Sequence, residues 1–498
     1  MVHERKCKFT IIAAFYVLII VTEYNYFCGM ILIRKHLLFI LLAGTMSIFF
    51  SCKKKDKIDN DSSLKLSFST DTIFFDTVFS TIGSITQRLV VYNDNDGMLS
   101  VTQIRLAGGD ASNYRINIDG DPSLAVNDVE IPGHDSIFIF VRVTIDPNNQ
   151  NTPFVVADSI LFSVNGNLQD IDLVSWGQNA RFFKQATLRG NIVWDSLLPY
   201  VIFGSIRIDT SSSLLIMPGC KLFFHKSAYL AVSYDASLQV YGNLEHPVRF
   251  QGDRLDPFYR DLPGQWTGIL MESGSKEHVI NYGIIKNGVF GILIDEPRNQ
   301  MNPMLILDNT IIQNTTADGI FAYATSITST NCVLANCGGS ALWVENGGSY
   351  DFRQLTIGNY WGSSVRFAPS LYIRNHSFDT TGGQSPGPLT NTFFGNTIIY
   401  GSDVNEIQFD EMEGVPFEIV FDHCLLRTQS PITDPQRYIS CFANEDPLFV
   451  DTQLFDLRID SLSPAIGKGV QMGVPFDIEG VDRGTAPDLG AYQWVPVR

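Results

Sequence analysis

The chain has 498 residues, and its 35 Lys and Arg against 52 Asp and Glu give a formal net charge of −17. This balance disfavours a nucleic-acid-binding protein, which needs a basic surface. Charged residues make up only 17% and hydrophobic residues 45%, which excludes a disordered chain and is enough for a large core. The 40 Gly and 35 Phe, among many Val, Ile, Thr and Asn, predict an all-β protein with frequent turns.

The first 51 residues are predicted to be a targeting segment. Residues 37–50 form an apolar run, and the basic stretch Arg34-Lys35-His36 comes directly before it. A basic region followed by a short apolar region is the order found in secretion signals. Met30 lies at a natural distance for the true start, so we expect residues 1–29 to be an over-extended gene start.

The apolar run ends at Ser51-Cys52. A small residue and a Cys in this place resemble the lipobox of bacterial lipoproteins, with Phe49 where that family usually has Leu. The resemblance implies that Cys52 is acylated and that lipid anchors an exported protein in the cell envelope, with the outer membrane expected. A plain transmembrane anchor is the alternative. Residues 52–63 then comprise the lipidated Cys and a polar tether.

Residues 64–185 are predicted to form an antiparallel β-sandwich. Alternating runs at 88–92, 136–143 and 158–164 are separated by turn sequences rich in Asn, Asp, Gly and Pro. This spacing is typical of sandwiches. The strand motifs, among them VYN at 91–93, resemble hydin-type immunoglobulin-like domains of bacterial surface proteins. The resemblance implies a spacer domain.

Residues 190–440 contain a short internal repeat. The sequences YGIIKN at 282–287, NTIIQN at 309–314 and NCVLAN at 331–336 each end an apolar run with Asn, and a similar run follows later. The Asn residues are 27, 22 and 23 positions apart, a period that predicts a right-handed parallel β-helix because the Leu spacing of leucine-rich repeats is absent. Asn tolerates the left-handed backbone of a turn and bonds to neighbouring coils. The residues predicted to form this structural ladder are Asn287, Asn314, Asn336 and Asn359.

Residues 214–250 have the order strand, Pro-Gly turn, strand, followed by two further short runs. This order resembles the opening coils of bacterial pectin-lyase-like β-helix proteins, a group that includes polysaccharide lyases and glycosidases. The resemblance implies a fold and leaves the activity open. The catalytic sequence motifs of polygalacturonases and pectate lyases are absent, and no catalytic residue is predicted.

Residues 441–498 are predicted to be a closing segment. DPLF at 446–449, SPAI at 463–466 and PDLGAY at 487–492 resemble the choice-of-anchor segments that end many bacterial surface β-helix proteins. The resemblance implies a C-terminal cap, and an open sheet edge needs a cover. Acidic residues in this segment offer oxygen ligands for calcium, although their spacing is not that of an EF-hand. The weak calcium candidates are Asp477, Glu479, Asp482 and Asp488.

An unusual insertion occupies residues 251–266. Its aromatic, acidic and Arg side chains suit sugar stacking and hydroxyl recognition. A structural loop that locks itself onto the solenoid is the alternative, with Trp266 as the latch and Tyr259 and Arg260 as the better ligand contacts. The candidate residues are Asp253, Arg254, Asp256, Tyr259, Arg260, Asp261 and Trp266.

The cysteine pattern does not predict a disulfide framework. If Cys52 is acylated, five scattered Cys remain in the mature body, and an odd, dispersed set predicts small buried residues. Cys332 and Cys337 are near enough in sequence to be considered as a pair.

The sequence therefore predicts a lipid-anchored envelope protein whose β-helix binds glycan or a protein partner without catalysis. An anchored polysaccharide lyase or glycoside hydrolase is the first alternative, and a purely structural envelope protein is the second. Calcium is the one cofactor considered. The expected partners are a membrane, through lipid at Cys52, and a polysaccharide or envelope protein; nucleic acid is not expected.

Overall fold

The computed structural model describes residues 57–80, 82–147, 151–256, 258–296 and 303–496. Cys52 and the predicted signal segment lie outside these ranges. Within them the protein is all-β, with one short 3₁₀ helix at Gly109–Ala111, and none of the described helices has the length and apolarity to cross a membrane. An N-terminal region of antiparallel sheets precedes a right-handed parallel β-helix, as the sequence predicted.

Nine strands build the N-terminal sandwich: β1 (Ser67–Phe68), β2 (Thr72–Phe79), β3 (Gln87–Asn93), β4 (Leu99–Leu106), β5 (Tyr114–Ile118), β6 (Ala125–Ile131), β7 (Asp135–Val143), β8 (Phe154–Val164) and β9 (Asn167–Gln178). One sheet has the order β1-β3-β7-β5 and the other β2-β9-β8-β4-β6. The pairs are antiparallel except β2–β9, which is parallel. Leu89, Val91, Ile139 and Val141 are fully buried, because alternate side chains of β3 and β7 face the second sheet.

The polar stretch before the sandwich is docked over the part that the structure describes. The backbone N–H of Asp59 donates to the Met98 carbonyl at 2.8 Å. The Asn165 amide donates to the carbonyls of Asp59 and Asp61 at 3.0 and 2.9 Å. The tether predicted for residues 52–63 therefore does not extend freely to the sandwich. The polar composition of the stretch could not predict these contacts, because Asn165 and Met98 are distant from it in sequence.

The solenoid and its one side hairpin consist of β10 (Arg181–Leu188), β11 (Asn191–Trp194), β12 (Tyr200–Ile208), β13 (Ser213–Ile216), β14 (Lys221–Phe224), β15 (Tyr229–Val232), β16 (Ser237–Tyr241), β17 (Val248–Gly252), β18 (Gly268–Met271), β19 (His278–Asn281), β20 (Gly283–Lys286), β21 (Ile292–Ile294), β22 (Leu305–Asp308), β23 (Ile311–Thr315), β24 (Ile320–Thr330), β25 (Val333–Cys337), β26 (Leu342–Arg353), β27 (Thr356–Asn359), β28 (Leu371–Arg374), β29 (His376–Phe378), β30 (Gln384–Pro386), β31 (Leu389–Gly395), β32 (Ile398–Gly401), β33 (Ile407–Asp410), β34 (Phe417–Asp422), β35 (Leu425–Leu426), β36 (Tyr438–Ile439) and β37 (Phe442–Ala443). Strands β29 and β30 are the antiparallel side hairpin. The solenoid begins at Arg181 rather than at residue 190, because β10 already pairs in parallel with β12.

Each coil passes through three parallel sheets, which we name A, B and C in the order in which the chain visits them. Sheet A includes β14, β17, β20, β23, β25 and β27; sheet B includes β15, β18, β21 and β28; sheet C includes β13, β16, β19 and β22. The long strands β24 and β26 bend and contribute to both B and C. Coils pair residue by residue, so equivalent positions stack at about 4.8 Å.

The core is the inside of these coils. Equivalent inward residues of sheet C stack directly, and the Phe352, Phe394 and Phe421 rings lie nearly parallel with centroids 5.1 and 5.0 Å apart. All three rings are fully buried. Burial of such columns supplies the apolar stabilisation of a solenoid, in which each coil contacts its neighbours alone.

The closing segment runs along the flank of the coils, and its hairpin consists of β38 (Phe449–Asp451) and β39 (Asp456–Ile459). The Asn396 amide donates to the Val470 carbonyl at 2.7 Å, and the Ala491 N–H donates to Thr356 Oγ1 at 2.8 Å. Its apolar residues pack on the outer side of sheet A, for example against Ile398. The predicted cap over the solenoid end is therefore corrected to a strap along its side, because the apolar surface that this segment buries lies there.

The sandwich and the solenoid meet at an apolar seam. The Phe79 and Phe223 rings are 4.9 Å apart, and Val201 is buried beside them. The insertion at 251–266 also reaches this seam through Leu255.

Candidate functional site

The insertion at 251–266 is anchored by Trp266, which is fully buried. Its ring stacks on Phe224 with centroids 4.2 Å apart, and its Nε1 donates to the Lys286 carbonyl at 2.9 Å. A buried indole whose N–H is bonded has no face left for a ligand. Trp266 therefore acts as a latch.

The middle of the insertion lies over the Asn ladder. The Asn287 amide donates to the Arg260 carbonyl at 2.8 Å, and the Asn314 amide donates to the Asp261 carbonyl at 2.5 Å. The Asp261 carboxylate also accepts from Lys286 Nζ at 3.1 Å. These bonds use backbone groups that a flexible binding loop would leave to solvent.

The ladder itself follows sheet A. The Asn314 amide donates to Asn287 Oδ1 at 2.8 Å, and the Asn336 amide donates to Asn314 Oδ1 at 2.8 Å. All three have positive φ, between 51° and 65°. Asn359 departs from this pattern, because its Oδ1 accepts from the Cys337 N–H and its amide bonds to the Gly339 carbonyl. Asn359 follows the pair Ala335–Gly358 and so keeps the register of Asn336. Its φ is not positive, unlike those of the three ladder residues, and its side chain bonds to backbone instead.

The start of the insertion lines a cavity of about 300 Å³ at the seam with the sandwich, and Asp253 and Asp256 share this lining with residues of β2. His225 Nδ1 lies 2.7 Å from Asp253 Oδ2, and burial raises the pKa of Asp253. Arg254 covers the Tyr259 ring with its guanidinium carbon 3.2 Å from the centroid. The candidate ligand contacts thus form two groups. Asp253, Arg254 and Asp256 line the cavity, whereas Arg260 and Asp261 bond to each other and to the solenoid. Tyr259 is half-buried beneath Arg254.

The four acidic calcium candidates do not converge. The Asp477 carboxylate accepts backbone N–H bonds from Glu479, Val481 and Gln493. Asp488 accepts from the N–H groups of Gly467 and Trp494. Within the described ranges, no group of three or more His, Cys, Asp or Glu is placed to hold a metal. Because turn backbone bonds to the oxygens of Asp477 and Asp488, these two carboxylates give calcium no support, and the calcium site stays a prediction.

Arg483 holds the closing segment to the solenoid. It is buried, and its Nη2 donates to Asn331 Oδ1 at 2.8 Å and to the Gly490 and Ala491 carbonyls at 3.1 and 3.0 Å. Asn331 belongs to a second ladder after sheet C, in which its amide donates to Asn309 Oδ1 at 3.1 Å. This ladder was not predicted from the sequence, although NTIIQN and NCVLAN both begin with its Asn residues.

A different surface has the character of a binding site: the outer face of sheet B. Phe321, Trp343 and Tyr372 occupy paired positions on consecutive coils. Their ring centroids are 5.8 Å apart for the first two and 4.8 Å for the last two. We call these three residues the aromatic column. All three are half-buried, so part of each ring faces solvent.

Charged and polar side chains run beside the aromatic column. Glu345 and Arg374 form an ion pair with two hydrogen bonds, and Trp343 Nε1 donates to Glu345 Oε2 at 2.9 Å. On the next coil, the Tyr372 hydroxyl donates to Asp410 Oδ2 at 3.2 Å. Burial and then Asp410 raise the pKa of Tyr372, so this phenol stays protonated. We call Glu345, Arg374 and Asp410 the polar column.

His376 closes one side of this surface. Its ring is almost fully buried, and both ring nitrogens lack a hydrogen-bond partner. Nε2 lies 3.6 Å from Asp410 Oδ2, too far for a direct bond. The neighbouring Phe378 ring is half exposed and lies under Arg374 at 5.1 Å.

The sequence contained a signal for this surface. The short runs that follow each Asn place Leu293, Phe321, Trp343 and Tyr372 after a buried apolar residue, and strand alternation turns the next residue outward. Aligning the runs by their buried residue, instead of by the Asn, would have brought the aromatics together. Partly exposed aromatic faces beside fixed hydrogen-bonding groups suit the apolar faces and hydroxyls of a sugar chain.

Comparison with known proteins supports the solenoid alone. Residues 176–359 match the family model of the right handed beta helix region. No curated protein matches the chain.

Three solved structures show distant likeness. A family 123 glycoside hydrolase from Clostridium perfringens is 10% identical, with 24% of this chain and 30% of that chain covered and a TM-score of 0.18. The Vibrio cholerae VesB protease is 11% identical, with 23% and 31% covered and a TM-score of 0.17. A PapD-like domain of human CEP192 is 10% identical, with 26% and 96% covered and a TM-score of 0.16. The chain spans about a third of the length of the first two, and these scores carry no functional argument.

Proposed function

We propose that this protein is a lipid-anchored envelope protein whose solenoid binds glycan, without catalysis, on the outer face of sheet B. The observation that carries the proposal is the aromatic column of Phe321, Trp343 and Tyr372, with ring spacings of 5.8 and 4.8 Å. Sugar rings present apolar faces that stack on such rings. The spacing follows the coil repeat, so an extended polymer meets similar surfaces in succession.

The charge around the column favours an uncharged glycan. The polar column holds two carboxylates against one guanidinium, and the whole chain carries −17. A polyuronate or sulfated polymer would meet repulsion from both. The hydroxyl groups of a neutral sugar, in contrast, could hydrogen-bond to the Asp410 carboxylate and the Tyr372 hydroxyl. The Asp410 side chain is 40% exposed.

Catalysis is the less favoured use of this surface. Glu345 and Asp410 stand two coils apart in one column, which is about 9.6 Å at the spacing of parallel strands, near the upper end for an inverting glycosidase. The Glu345 oxygens, however, are both engaged by Arg374, and one of them also by Trp343. A general acid or base needs an oxygen that faces the substrate, and Glu345 is 5% exposed.

The test is a binding screen of the full chain in detergent against neutral and acidic polysaccharides. Binding to a neutral polymer is expected, and Trp343→Ala should weaken it roughly tenfold or more, since lost stacking costs on the order of 1 kcal/mol beyond lost area. Trp176→Ala is the matched control, because Trp176 is 47% exposed on the sandwich, away from sheet B. Equal loss in both variants, or binding only to acidic polymers, would contradict the proposal. Release of reducing ends by the wild type would favour the enzymatic alternative, a polysaccharide lyase or glycoside hydrolase, and no binding at all would favour the structural alternative.

The anchor is tested separately. Cys52→Ala should move the protein from the membrane to the soluble fraction and remove the mass of the lipid. Membrane retention by the variant at an unchanged mass would favour the transmembrane alternative.

A further inference from the structure

Two cysteines lie at equivalent positions of the last two coils. Leu425 pairs with Phe442 in sheet A, so Cys424 and Cys441, each one residue earlier, are neighbours across the same parallel pair. Their Cα atoms are therefore about 4.8 Å apart. This separation lies within the range that a disulfide spans, roughly 4.4–6.8 Å.

The two thiols also point in the same direction. Cys424 Sγ donates to the Phe394 carbonyl at 3.3 Å, and Cys441 Sγ donates to the Phe421 carbonyl at 3.3 Å, each on the preceding coil. A hydrogen bond from Cys424 lowers the pKa of the Cys441 thiol, whereas burial raises that of Cys424. Cys441 is half-buried and Cys424 is buried. The more exposed thiol is thus the better nucleophile.

We propose that Cys424 and Cys441 are a site of covalent modification: an intramolecular disulfide that joins the last two coils. It forms by exchange with an external disulfide. The Cys441 thiolate attacks one sulfur of that disulfide, whose S–S bond breaks and releases one thiolate. Cys424 then loses its proton and attacks Cys441 Sγ, which releases the second thiolate. Two protein thiols are oxidised and one external disulfide is reduced.

The position gives the bond a physical consequence. The final coil is held by strands of two residues each, Tyr438–Ile439 and Phe442–Ala443. Short terminal coils open most easily because they have one neighbour instead of two. A covalent link between them restricts this opening at the exposed end of the sheet.

The other described cysteines lack this arrangement. Cys332 occupies the same stacked position of sheet A as Cys424 and Cys441, but its neighbours on the adjacent coils are Thr310 and Leu355. Cys332 and Cys337, the pair considered from the sequence, stand just before β25 and at its end, so their Cα atoms are separated along one strand by up to about 16 Å. Both are free, buried thiols.

The test uses the full chain, incubated folded with oxidised glutathione, alkylated after unfolding, and mapped without reduction. A peptide that links Cys424 to Cys441 is expected, together with a melting temperature a few degrees above that of the reduced protein. Cys441→Ser should abolish both effects, and Cys332→Ser, as the control, should leave both in place.

Each contrary outcome overturns the proposal. A stable glutathione adduct at Cys441 with Cys424 still alkylated would mean that the geometry does not allow closure. Alkylation of both residues, or a link from Cys424 to a different cysteine, would reject the pairing. A Cys441→Ser variant that fails to fold does not remove the test, because the peptide map of the wild type decides it alone.

Discussion

Replacing Asn314 by Leu is expected to destabilise the solenoid strongly. Asn314 is 2% exposed and takes part in three hydrogen bonds, with Asn287, Asn336 and the Asp261 carbonyl. Leu would leave the two buried amide groups of Asn287 and Asn336 unpaired, each costing roughly 1–3 kcal/mol, and would also remove the donor of the part-buried Asp261 carbonyl. It would also hold a branched side chain at a φ of 61°, at about 1 kcal/mol. Allowing for relaxation, we expect a loss of about 4 kcal/mol.

Asn391 provides the matched control for this experiment. Its φ is 51°, but the residue is exposed in β31 instead of buried in the ladder. Asn391→Leu should therefore carry the backbone strain alone, about 1 kcal/mol. Thermal unfolding followed by circular dichroism should show a drop of roughly 8 °C for Asn314→Leu and about 2 °C for Asn391→Leu. Equal drops in the two variants would refute the contribution of the ladder bonds.

Three further outcomes are expected. Trp266→Ala should lower stability by about 4 kcal/mol in urea unfolding, as for other buried aromatics, and leave glycan binding at its wild-type level; a stable variant that no longer binds would make Trp266 a ligand contact. Arg483→Met should free the closing segment from the solenoid, because Asn331 Oδ1 loses its donor. Proteolysis after residue 460 should become faster while the solenoid stays intact, and unchanged cleavage would contradict the role of Arg483 in holding the segment on the flank. Burial raises the pKa of Asp318 to about 6, so its stabilising contribution is full below about pH 4 and is lost as the pH rises through 6. Relative to Asp318→Asn, the wild type should lose on the order of 2–3 kcal/mol between pH 4 and pH 7.5. Parallel stability profiles would show that the pKa of Asp318 is not raised.

Much of the fold was predictable because a solenoid repeats local patterns. The Asn positions at 27- and 22-residue spacing gave the coil period, and their left-handed backbone is a local property of Asn at a turn. The candidate site was less accessible. Trp343 and Tyr372 are 29 residues apart, because an insertion lengthens that coil, so counting along the chain does not align them.

The sequence by itself determined the all-β class, the coil repeat and the ladder residues Asn287, Asn314 and Asn336, since each depends on alternation and turn chemistry within a short stretch. Only the tertiary structure decided which residues of different coils, and of the closing segment, lie in contact. Arg483 bonds to Asn331 across 152 residues, and this contact places the closing segment on the flank rather than over the end. Sheet B likewise acquires its aromatic column only through the stacking of coils, because the register between strands is set by packing of the whole core and not by any local run of residues.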